Sequence, residues 1–320
     1  MPSADAPAGL PDDLEALADG IRAGERAAVA RGLNLVEDRR PEARPRVAAL
    51  LRALGPGRVD GRRVGFTGPP GVGKSCLVNA LAHVVRASGA TVGVLAVDPS
   101  SKRSGGALLG DRARIDSRPE DAGLFVRSLA TAGHLGGLAR AAPAATMVLG
   151  AAFDWVLVET VGVGQSETDV EYVVDTVVLV VQPGSGDSLQ FLKAGIMEIP
   201  DVVLVNKSDM GETARRARLE LLSALGAARG AGVASASVEV LLASATRGDG
   251  VAELKAEIER HRAAMLASGR LLERRVGGQV EWGLRELVRR VGEEGLQREG
   301  GEAAARASIE ARIRSGGGAI

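Results

Sequence analysis

The chain has 320 residues, of which 45% are hydrophobic and 25% charged, the balance of an ordinary globular protein. Basic and acidic residues are equal at 40 each and aromatic residues make up only 2%, so we expect no nucleic acid and no membrane as the main partner. The single cysteine, Cys76, excludes an intrachain disulfide framework and fits a reducing cytosol. The first residues also lack a signal-peptide pattern, so we expect a cytoplasmic protein.

Apolar residues near the start recur at helical spacing and predict an amphipathic helix over residues 11–32. They are Leu10, Leu14, Leu17 and Ile21. A second helix is predicted over 42–54, before the turn-rich segment 55–63. We therefore expect an N-terminal helical arm over residues 1–60.

Seven short apolar segments then alternate with helical patterns. They are RVGFT (63–67), TVGVLAVD (91–98), GLFVRS (123–128), DWVLVET (154–160), DTVVLVVQP (175–183), DVVLVNKSD (201–209) and VEVLLASAT (238–246). Several are nearly continuous in valine and leucine, as expected of strands that are buried on both faces. The alternation predicts an α/β fold with a doubly wound, mostly parallel sheet, in a domain that spans residues 61–268.

Helical patterns follow the sheet. One apolar stripe contains Leu254, Ile258, His261 and Met265, and a second contains Val276, Val280, Leu284, Leu287 and Val291. We expect the second stripe to be interrupted near Gly277-Gly278. These patterns predict a helical extension over residues 269–320.

A glycine-rich segment follows the first predicted strand and opens a predicted helix. Gly68-Pro69-Pro70-Gly71-Val72-Gly73-Lys74-Ser75 matches GxxxxGK[ST] in the strand–loop–helix context that a P-loop NTPase requires. Its backbone N–H groups and the helix N-terminus would surround phosphate oxygens. We predict that Lys74 reaches the outer phosphates and that the Ser75 hydroxyl binds Mg²⁺. Cys76 completes the predicted nucleotide-binding set and is expected to be a small, buried helix residue.

A second motif follows the sixth predicted strand. Asn206-Lys207-Ser208-Asp209 matches NKxD, and a carboxylate at its last position can accept hydrogen bonds from guanine N1–H and the 2-amino group, a donor pair that adenine lacks. We predict that Lys207 lies over the base and that Asn206 ties this loop to the phosphate side. Ser244-Ala245-Thr246 would supply a backbone N–H to the guanine carbonyl, although an ordinary strand end explains that tripeptide equally well. The bound nucleotide is therefore predicted to be GTP or GDP.

Carboxylates near other predicted strands suit a metal ion. Asp98 and Glu159 end two strands, and Asp111 follows in the same stretch as Asp98. Oxygen ligands of this kind hold Mg²⁺ or its waters beside a phosphate loop. The predicted metal ligands are therefore these three carboxylates and Ser75. A surface charge is the other interpretation of Asp111.

The segment ETVG (159–162) stands where GTPases usually carry DxxG, and the Gly162 amide is predicted to meet the γ-phosphate. In many signalling GTPases a glutamine directly after that glycine orients the attacking water. Val163 occupies the position here, and Gln165 lies two residues further on. Lys74, Glu159 and Gly162 form the predicted catalytic set for hydrolysis of GTP to GDP and phosphate.

Six segments together resemble the MeaB/ArgK family, GTPase chaperones of adenosylcobalamin-dependent methylmalonyl-CoA mutase and related acyl-CoA mutases. They are GPPGVGKS, LAVDPSS, GALLGDRAR, VETVGVGQSETD, PGSGDSLQFLKAGIMEIPD and VNKSD. The likeness covers roughly residues 60–270. GALLGDRARI and GSGDSLQ depart from the common forms GSILGDKTRM and GGGD or GAGDELQ.

The resemblance implies a chaperone that gates cobalamin loading and protects an acyl-CoA mutase, and a homodimer built largely through C-terminal helices. It also places the Mg²⁺ site on Asp98, Asp111 and Glu159. Residues 98–118 and 159–173 resemble the first two switch regions. Residues 183–193, with Asp187, Gln190 and Lys193, resemble an extra switch that reports the nucleotide state to the mutase.

Three other functions use a P-loop. A metallochaperone GTPase for another metalloenzyme, such as a nickel enzyme, tends to carry a metal site rich in histidine or cysteine, whereas this chain has one cysteine and three scattered histidines. NKSD argues against an ATP-dependent protein kinase linked to amino-acid transport. A small-molecule kinase would leave NKSD unexplained.

Overall fold

In the computed structural model, seven parallel strands form one sheet in the order β3-β2-β4-β1-β5-β6-β7. The strands are β1 Arg62–Thr67, β2 Val92–Asp98, β3 Leu124–Ala130, β4 Trp155–Glu159, β5 Thr176–Val181, β6 Val202–Val205 and β7 Glu239–Leu242. The structure describes residues 12–55, 58, 60–98, 121–130, 139–160, 169–184, 200–230, 238–298 and 300–315. All seven predicted strands are present, and the predicted α/β fold with a parallel sheet is confirmed.

Helices cover both faces of this sheet. They are α1 Asp12–Arg22, α2 Arg26–Glu37, α3 Arg44–Leu54, α4 Lys74–Ala87, α5 Ala142–Ala152, α6 Glu212–Gly230, α7 Val251–Ala267, α8 Arg270–Arg298 and α9 Gly301–Arg314. None of the helices in the described ranges is long and apolar enough to cross a membrane.

Alternate strand residues supply the cores on the two faces. Val94 and Leu157 pack in a core with α4 and α7, whereas Leu95 and Val158 pack in the core that contains α1, α2, α3 and α5. The side chains of successive strand residues point to opposite faces, so a strand covered on both sides must be apolar throughout. This accounts for the nearly continuous runs of valine and leucine. The domain limits at residues 60 and 268 stay a prediction.

The N-terminal helix predicted over 11–32 is wrong in its extent, because two helices occupy that stretch. The chain turns between α1 and α2 at Gly24, whose φ of +73° is unfavourable for a residue with a side chain. The helices then pack closely: a Cβ added to Gly20 would lie 2.8 Å from the Ala28 Cβ atom. The apolar spacing in the sequence does not show this turn, because α1 and α2 both bury apolar residues at helical spacing. The helix predicted over 42–54 corresponds to a 3-10 turn, Pro41–Ala43, followed by α3.

The interruption predicted near Gly277-Gly278 is also wrong. Helix α8 runs through both glycines, and its backbone leaves helical geometry at Gly292, which has a φ of 71°. Gly278 lies against the backbone of the 3-10 turn Asp169–Tyr172, where an added Cβ would be 2.0 Å from the Tyr172 carbonyl oxygen. Beyond Gly292, Leu296 packs with Ile309 of α9 in a small core of its own. Gly278 thus permits a close contact between helix α8 and this turn.

Aspartate contacts hold α7 and α8 to the amino ends of two strands. Asp175, just before β5, accepts hydrogen bonds from Nε and Nη2 of Arg275, both at 2.7 Å, and both side chains are buried. Asp201, just before β6, accepts hydrogen bonds from Arg274 at 2.9 Å and from the backbone N–H of Val177 at 2.8 Å, and His261 Nε2 lies 3.3 Å away. Burial alone would raise the pKa of Asp201, but contacts with His261 and Arg274 outweigh it and lower the pKa.

Candidate nucleotide site

The glycine-rich loop connects β1, in the middle of the sheet, to α4. Lys74, the first residue of α4, is buried, and its Nζ atom donates to the carbonyl oxygens of Gly68 at 2.7 Å and Pro69 at 3.0 Å. The ammonium is therefore held over the loop that opens the helix. Backbone N–H groups at such a helix start favour an anion, and this loop lies at the strand ends where open α/β sheets bind ligands.

Two of the predicted metal ligands meet beside this loop. The Ser75 hydroxyl, in the first turn of α4, donates to Glu159 Oε1 at 2.6 Å, and both residues are buried. The parallel register places Glu159, at the end of β4, between Phe66 of β1 and Ala96 of β2. A hydroxyl and a carboxylate in contact offer the hard oxygen donors that Mg²⁺ prefers.

The side chains of the other two predicted metal ligands, Asp98 and Asp111, lie outside the described residues. Asp98 ends β2 and pairs with Ala130 of β3 in the parallel register, but its side chain lies outside the described part of the chain, as do Asp111 and Gly162 entirely. Within the described ranges, no group of three or more histidine, cysteine, aspartate or glutamate residues is placed to hold a metal ion. The described contact between Ser75 and Glu159 is compatible with the predicted Mg²⁺ site.

Asn206 joins the NKSD loop to the phosphate loop and to the next strand end. Its side-chain amide donates from Nδ2 to the Val72 carbonyl oxygen at 2.8 Å, and its Oδ1 accepts from the Ala245 backbone N–H at 3.1 Å. The approach depends on Gly73, whose φ is +93° and where an added Cβ would lie 2.5 Å from Asn206 Nδ2. One buried amide therefore fixes three loops relative to one another. It uses the Ala245 N–H, which belongs to the tripeptide 244–246 that we predicted to supply a backbone N–H to the guanine carbonyl.

Lys207 provides a second link between the two loops. Among the described residues, Lys207 is the only non-glycine residue with a left-handed backbone, at a φ of 60°. Such a conformation costs free energy, and it is often found at functional sites. The Lys207 Nζ atom donates to the Gly71 carbonyl oxygen at 3.1 Å and contacts Gln182 Oε1. The lysine stem is thereby directed across the space between the NKSD loop and the phosphate loop.

Asp209 is the carboxylate predicted to select guanine, and it is exposed. Its Oδ1 atom accepts a hydrogen bond from the Ser244 hydroxyl at 2.7 Å, and the Ser244 and Thr246 hydroxyls are 3.2 Å apart. The Ser244 contact lowers the pKa of Asp209, aided by nearby Arg247 and Lys207. The carboxylate is therefore ionised at neutral pH, as an acceptor of two N–H donors must be.

Cys76 is exposed, so the expectation of a small buried helix residue is wrong. The reason is position: Leu77 and Val78 point into the core, which leaves Cys76 on the opposite side of α4. Predicted residues 161–168 and 185–199, which include Val163, Gln165, Asp187, Gln190 and Lys193, lie outside the described residues.

Gln182 is a residue of this site that the sequence reasoning did not single out. It follows β5 directly and contacts Lys207 across the loop. The signal was available, because a polar side chain directly after a continuous apolar strand stands at the edge where loops of parallel sheets meet.

A phosphate loop follows the central strand β1, and Asn206 joins it to the NKSD loop, which follows β6, two strands away in the sheet. This is the arrangement of a P-loop GTPase, and this chain is a P-loop GTPase. The family model for the methylmalonyl-CoA mutase-associated GTPase MeaB matches residues 29–298. The chain therefore belongs to the MeaB family, and the family resemblance is confirmed.

Similar proteins include two that carry GTPase names. A probable GTPase of Mycobacterium tuberculosis is 43% identical over 274 residues, covering 85% of this chain and 81% of that protein. GTPase ArgK of Escherichia coli is 39% identical, with 82% and 80% covered. The mitochondrial methylmalonic aciduria type A homolog of Mus musculus is 36% identical, with 84% and 68% covered.

A solved structure shares the fold over nearly the whole chain. The crystal structure of a LAO/AO transport system kinase matches with a TM-score of 0.67 and 29% sequence identity, covering 96% of this chain and 94% of that chain. The match includes the helices on either side of the sheet domain, because it extends well beyond the strands.

Proposed function

We propose that this protein is a GTP-hydrolysing chaperone that gates cobalamin loading into an adenosylcobalamin-dependent acyl-CoA mutase and protects that mutase. The partner would be methylmalonyl-CoA mutase or a relative. The observation that carries the proposal is the match to the mutase-associated GTPase family over residues 29–298. We also infer that the protein acts in the cytoplasm.

The described contacts support a role for four of the predicted nucleotide-binding residues. Lys74, buried over the phosphate loop, would stabilise charge on the outer phosphates. Asp209, ionised and exposed, would accept the guanine donors. Asn206 and Lys207 would hold the base-binding loop at a fixed distance from the phosphates.

A magnesium ion would be held by Ser75 and Glu159 together with Asp98 and Asp111. When bound, Mg²⁺ neutralises charge that develops on the phosphates. The Ser75 hydroxyl donates to Glu159, which keeps both oxygens side by side in a buried position. This pairing prepares the ligand set without leaving a buried polar group alone.

The metal assignment is testable by substitution. Asp98→Ala and Glu159→Ala should each lower Mg²⁺-dependent turnover about 10-fold or more, because a lost ligand removes transition-state charge stabilisation. The measurement is GTP hydrolysis across a Mg²⁺ titration, with Glu253→Ala on the exposed face of α7 as the control. Unchanged activity in both carboxylate variants would contradict the metal site.

We further propose that the hydrolysis is slow until the mutase binds. Val163 stands where a water-orienting glutamine would be, and water positioning supplies much of the catalysis in this class. The polar segment 183–193 follows β5 and would carry the signal to the partner through Asp187, Gln190 and Lys193.

Single-turnover GTP hydrolysis with and without the mutase tests the gating. We expect the mutase to raise the rate several-fold or more, and expect alanine at Asp187, Gln190 and Lys193 together to remove that stimulation without changing basal turnover. A control with alanine at the exposed residues Arg216, Leu219 and Glu220 of α6 should keep it. A fast basal rate that no mutase changes would leave a self-sufficient GTPase.

A homodimer through α8 and α9 is part of the same proposal. Leu272 and Val291 of α8 are large apolar side chains with 57% and 39% of their surface exposed. Sedimentation velocity of Leu272→Asp should then show a monomer, whereas Leu219→Asp on α6 should leave the assembly unchanged. A dimer that persists in the Leu272 variant would place the interface elsewhere.

A further inference from the structure

A cavity of about 270 Å³ lies outside the nucleotide site, where the C-terminal end of α2, the start of α3, the C-terminal end of β3, the start of α5 and the middle of α8 meet. None of its lining residues belongs to the phosphate loop or the NKSD loop. The proposed GTPase mechanism assigns it no role.

The acidic residues of the cavity are already paired. Glu37 accepts a hydrogen bond from Arg127 at 2.7 Å, and Asp38 accepts one from Arg40 at 2.6 Å. Glu286, which is buried, contacts Arg140 and lies 2.9 Å from Arg289. Their negative charge is therefore neutralised by these arginines.

The cavity also carries arginines that remain unpaired. Arg39, Arg44 and Arg290 line it, and none of the three forms an ion pair or side-chain hydrogen bond with another residue in the described ranges. With the acidic residues neutralised, these three guanidinium groups leave the cavity positively charged. A planar guanidinium is well suited to a carboxylate or phosphate.

The rest of the wall is apolar. Val36, Val47, Leu129 and Trp282 line the cavity together with several alanines. The N-terminal end of α5, which no side chain caps, forms part of the same wall and adds to the positive potential. The three unpaired arginines are exposed to solvent, so their charges are accessible to an anion beside the apolar wall. A mostly apolar lining with a few polar groups is the usual composition of a small-molecule site.

We propose that this cavity binds a small amphipathic anion, a carboxylate or phosphate carried on a short apolar body. The volume is slightly below the range of sites for drug-sized ligands, which favours a compact molecule over a peptide segment. The anionic group would lie against Arg39, Arg44 and Arg290, and the apolar body against Val47 and Trp282. The site is independent of the nucleotide.

Two fluorescent probes of nearly the same shape test the charge requirement. 8-Anilinonaphthalene-1-sulfonate carries an anion on an apolar body, and N-phenyl-1-naphthylamine has that body without the charge. We expect the full-length protein saturated with GDP to bind the sulfonate about tenfold more tightly, because charge-assisted hydrogen bonds are lost with the neutral probe. Equal affinity for both probes would overturn the proposal.

Substitutions locate the binding. Arg39→Gln with Arg44→Gln should weaken sulfonate binding about tenfold. Arg31→Gln with Arg52→Gln makes the same charge change at exposed positions of α2 and α3 outside the cavity and should have no effect. Ala48→Leu, which fills the cavity, should weaken both probes. The site would be refuted if the control pair weakened sulfonate binding, or if neither the arginine pair nor Ala48→Leu weakened it.

Trp282 offers a direct reporter, because the only other tryptophan, Trp155, lies in the opposite core. Benzoate and phenyl phosphate, which differ in their anionic group, should change Trp282 emission in Trp155→Phe but give no response in Trp282→Phe. The compound that displaces the sulfonate probe at the lower concentration identifies the preferred group. Displacement by neither would overturn the proposal.

Discussion

Aspartate has opposite roles at the two ends of the strands, which we call the carboxyl edge and the amino edge of the sheet. At the carboxyl edge, Asp209 is exposed and accepts a hydrogen bond from the neutral Ser244 hydroxyl. At the amino edge, Asp175 is buried and accepts hydrogen bonds from Nε and Nη2 of Arg275 and from the Arg63 backbone N–H. The first carboxylate keeps acceptor capacity for a ligand, whereas the second is saturated by the protein.

This difference teaches how burial and partners separate structural from ligand-directed carboxylates. A buried ion cannot be left without its partner, so Asp175 and Asp201 fix α8 and α7 to the strands. An exposed carboxylate with one neutral partner retains its solvation and can exchange water for a ligand. The comparison predicts that substitutions at the amino edge change stability and that those at the carboxyl edge change nucleotide handling.

The largest effect is expected at the amino edge. Asp175→Asn removes the charge that pairs with buried Arg275 and should lower the free energy of unfolding by about 3–5 kcal/mol. Urea unfolding at pH 7 measures it, and Asp13→Asn, which breaks an exposed pair with Arg46, should cost no more than about 1 kcal/mol. Guanine nucleotide affinity of the folded protein should be unchanged. A large loss of GTP affinity would break the separation between the edges.

The next effect falls on turnover. Lys74→Ala should reduce GTP hydrolysis by about 100-fold or more, because a preorganised charge over the outer phosphates is lost. The measurement is single-turnover hydrolysis at saturating GTP. Lys255→Ala, which removes a lysine paired with Glu259 on α7, should hydrolyse GTP normally. Hydrolysis that survives the Lys74 change would remove this lysine from the catalytic set.

The preference for guanine should change when an amide nitrogen replaces one carboxylate oxygen of Asp209. Asp209→Asn should weaken GTP binding by about 10- to 100-fold and favour xanthosine triphosphate, because the amide donates where the carboxylate accepts. Competition binding with the two nucleotides measures this, with unfolding by urea as the control for stability. If the unaltered protein binds ATP as tightly as GTP, the guanine assignment of NKSD is wrong.

The smallest effect is a pH dependence at the amino edge. Because the pKa of Asp201 is lowered in the folded state, its contribution to stability is present above the unfolded pKa of about 4 and is lost as the pH falls through the lower folded value. The unfolding free energy of the unaltered protein should therefore fall more steeply below about pH 4 than that of Asp201→Asn. Identical acid limbs would show that this contact contributes no pH dependence.

Prediction from the sequence succeeded where the pattern is local. The valine- and leucine-rich run 177–181 is typical of a strand buried on both faces, and the eight-residue phosphate motif is typical of a loop between a strand and a helix. The break between α1 and α2 at Gly24 was missed, because helical spacing of buried residues continues across it. The exposure of Cys76 was missed since one helix position does not show which side the core covers.

The sequence by itself determined the α/β class, the phosphate loop, the guanine-type loop and the family, because each is a pattern of neighbouring residues. Only the tertiary structure decided that Asn206 fastens the Val72 carbonyl to the Ala245 N–H, and that Gly278 accommodates the Tyr172 backbone. It also decided which acids are saturated and which arginines line a cavity. The two Asn206 contacts join residues 134 and 39 positions apart. Contacts of this kind, and the competition between partners, leave no period or spacing in the chain.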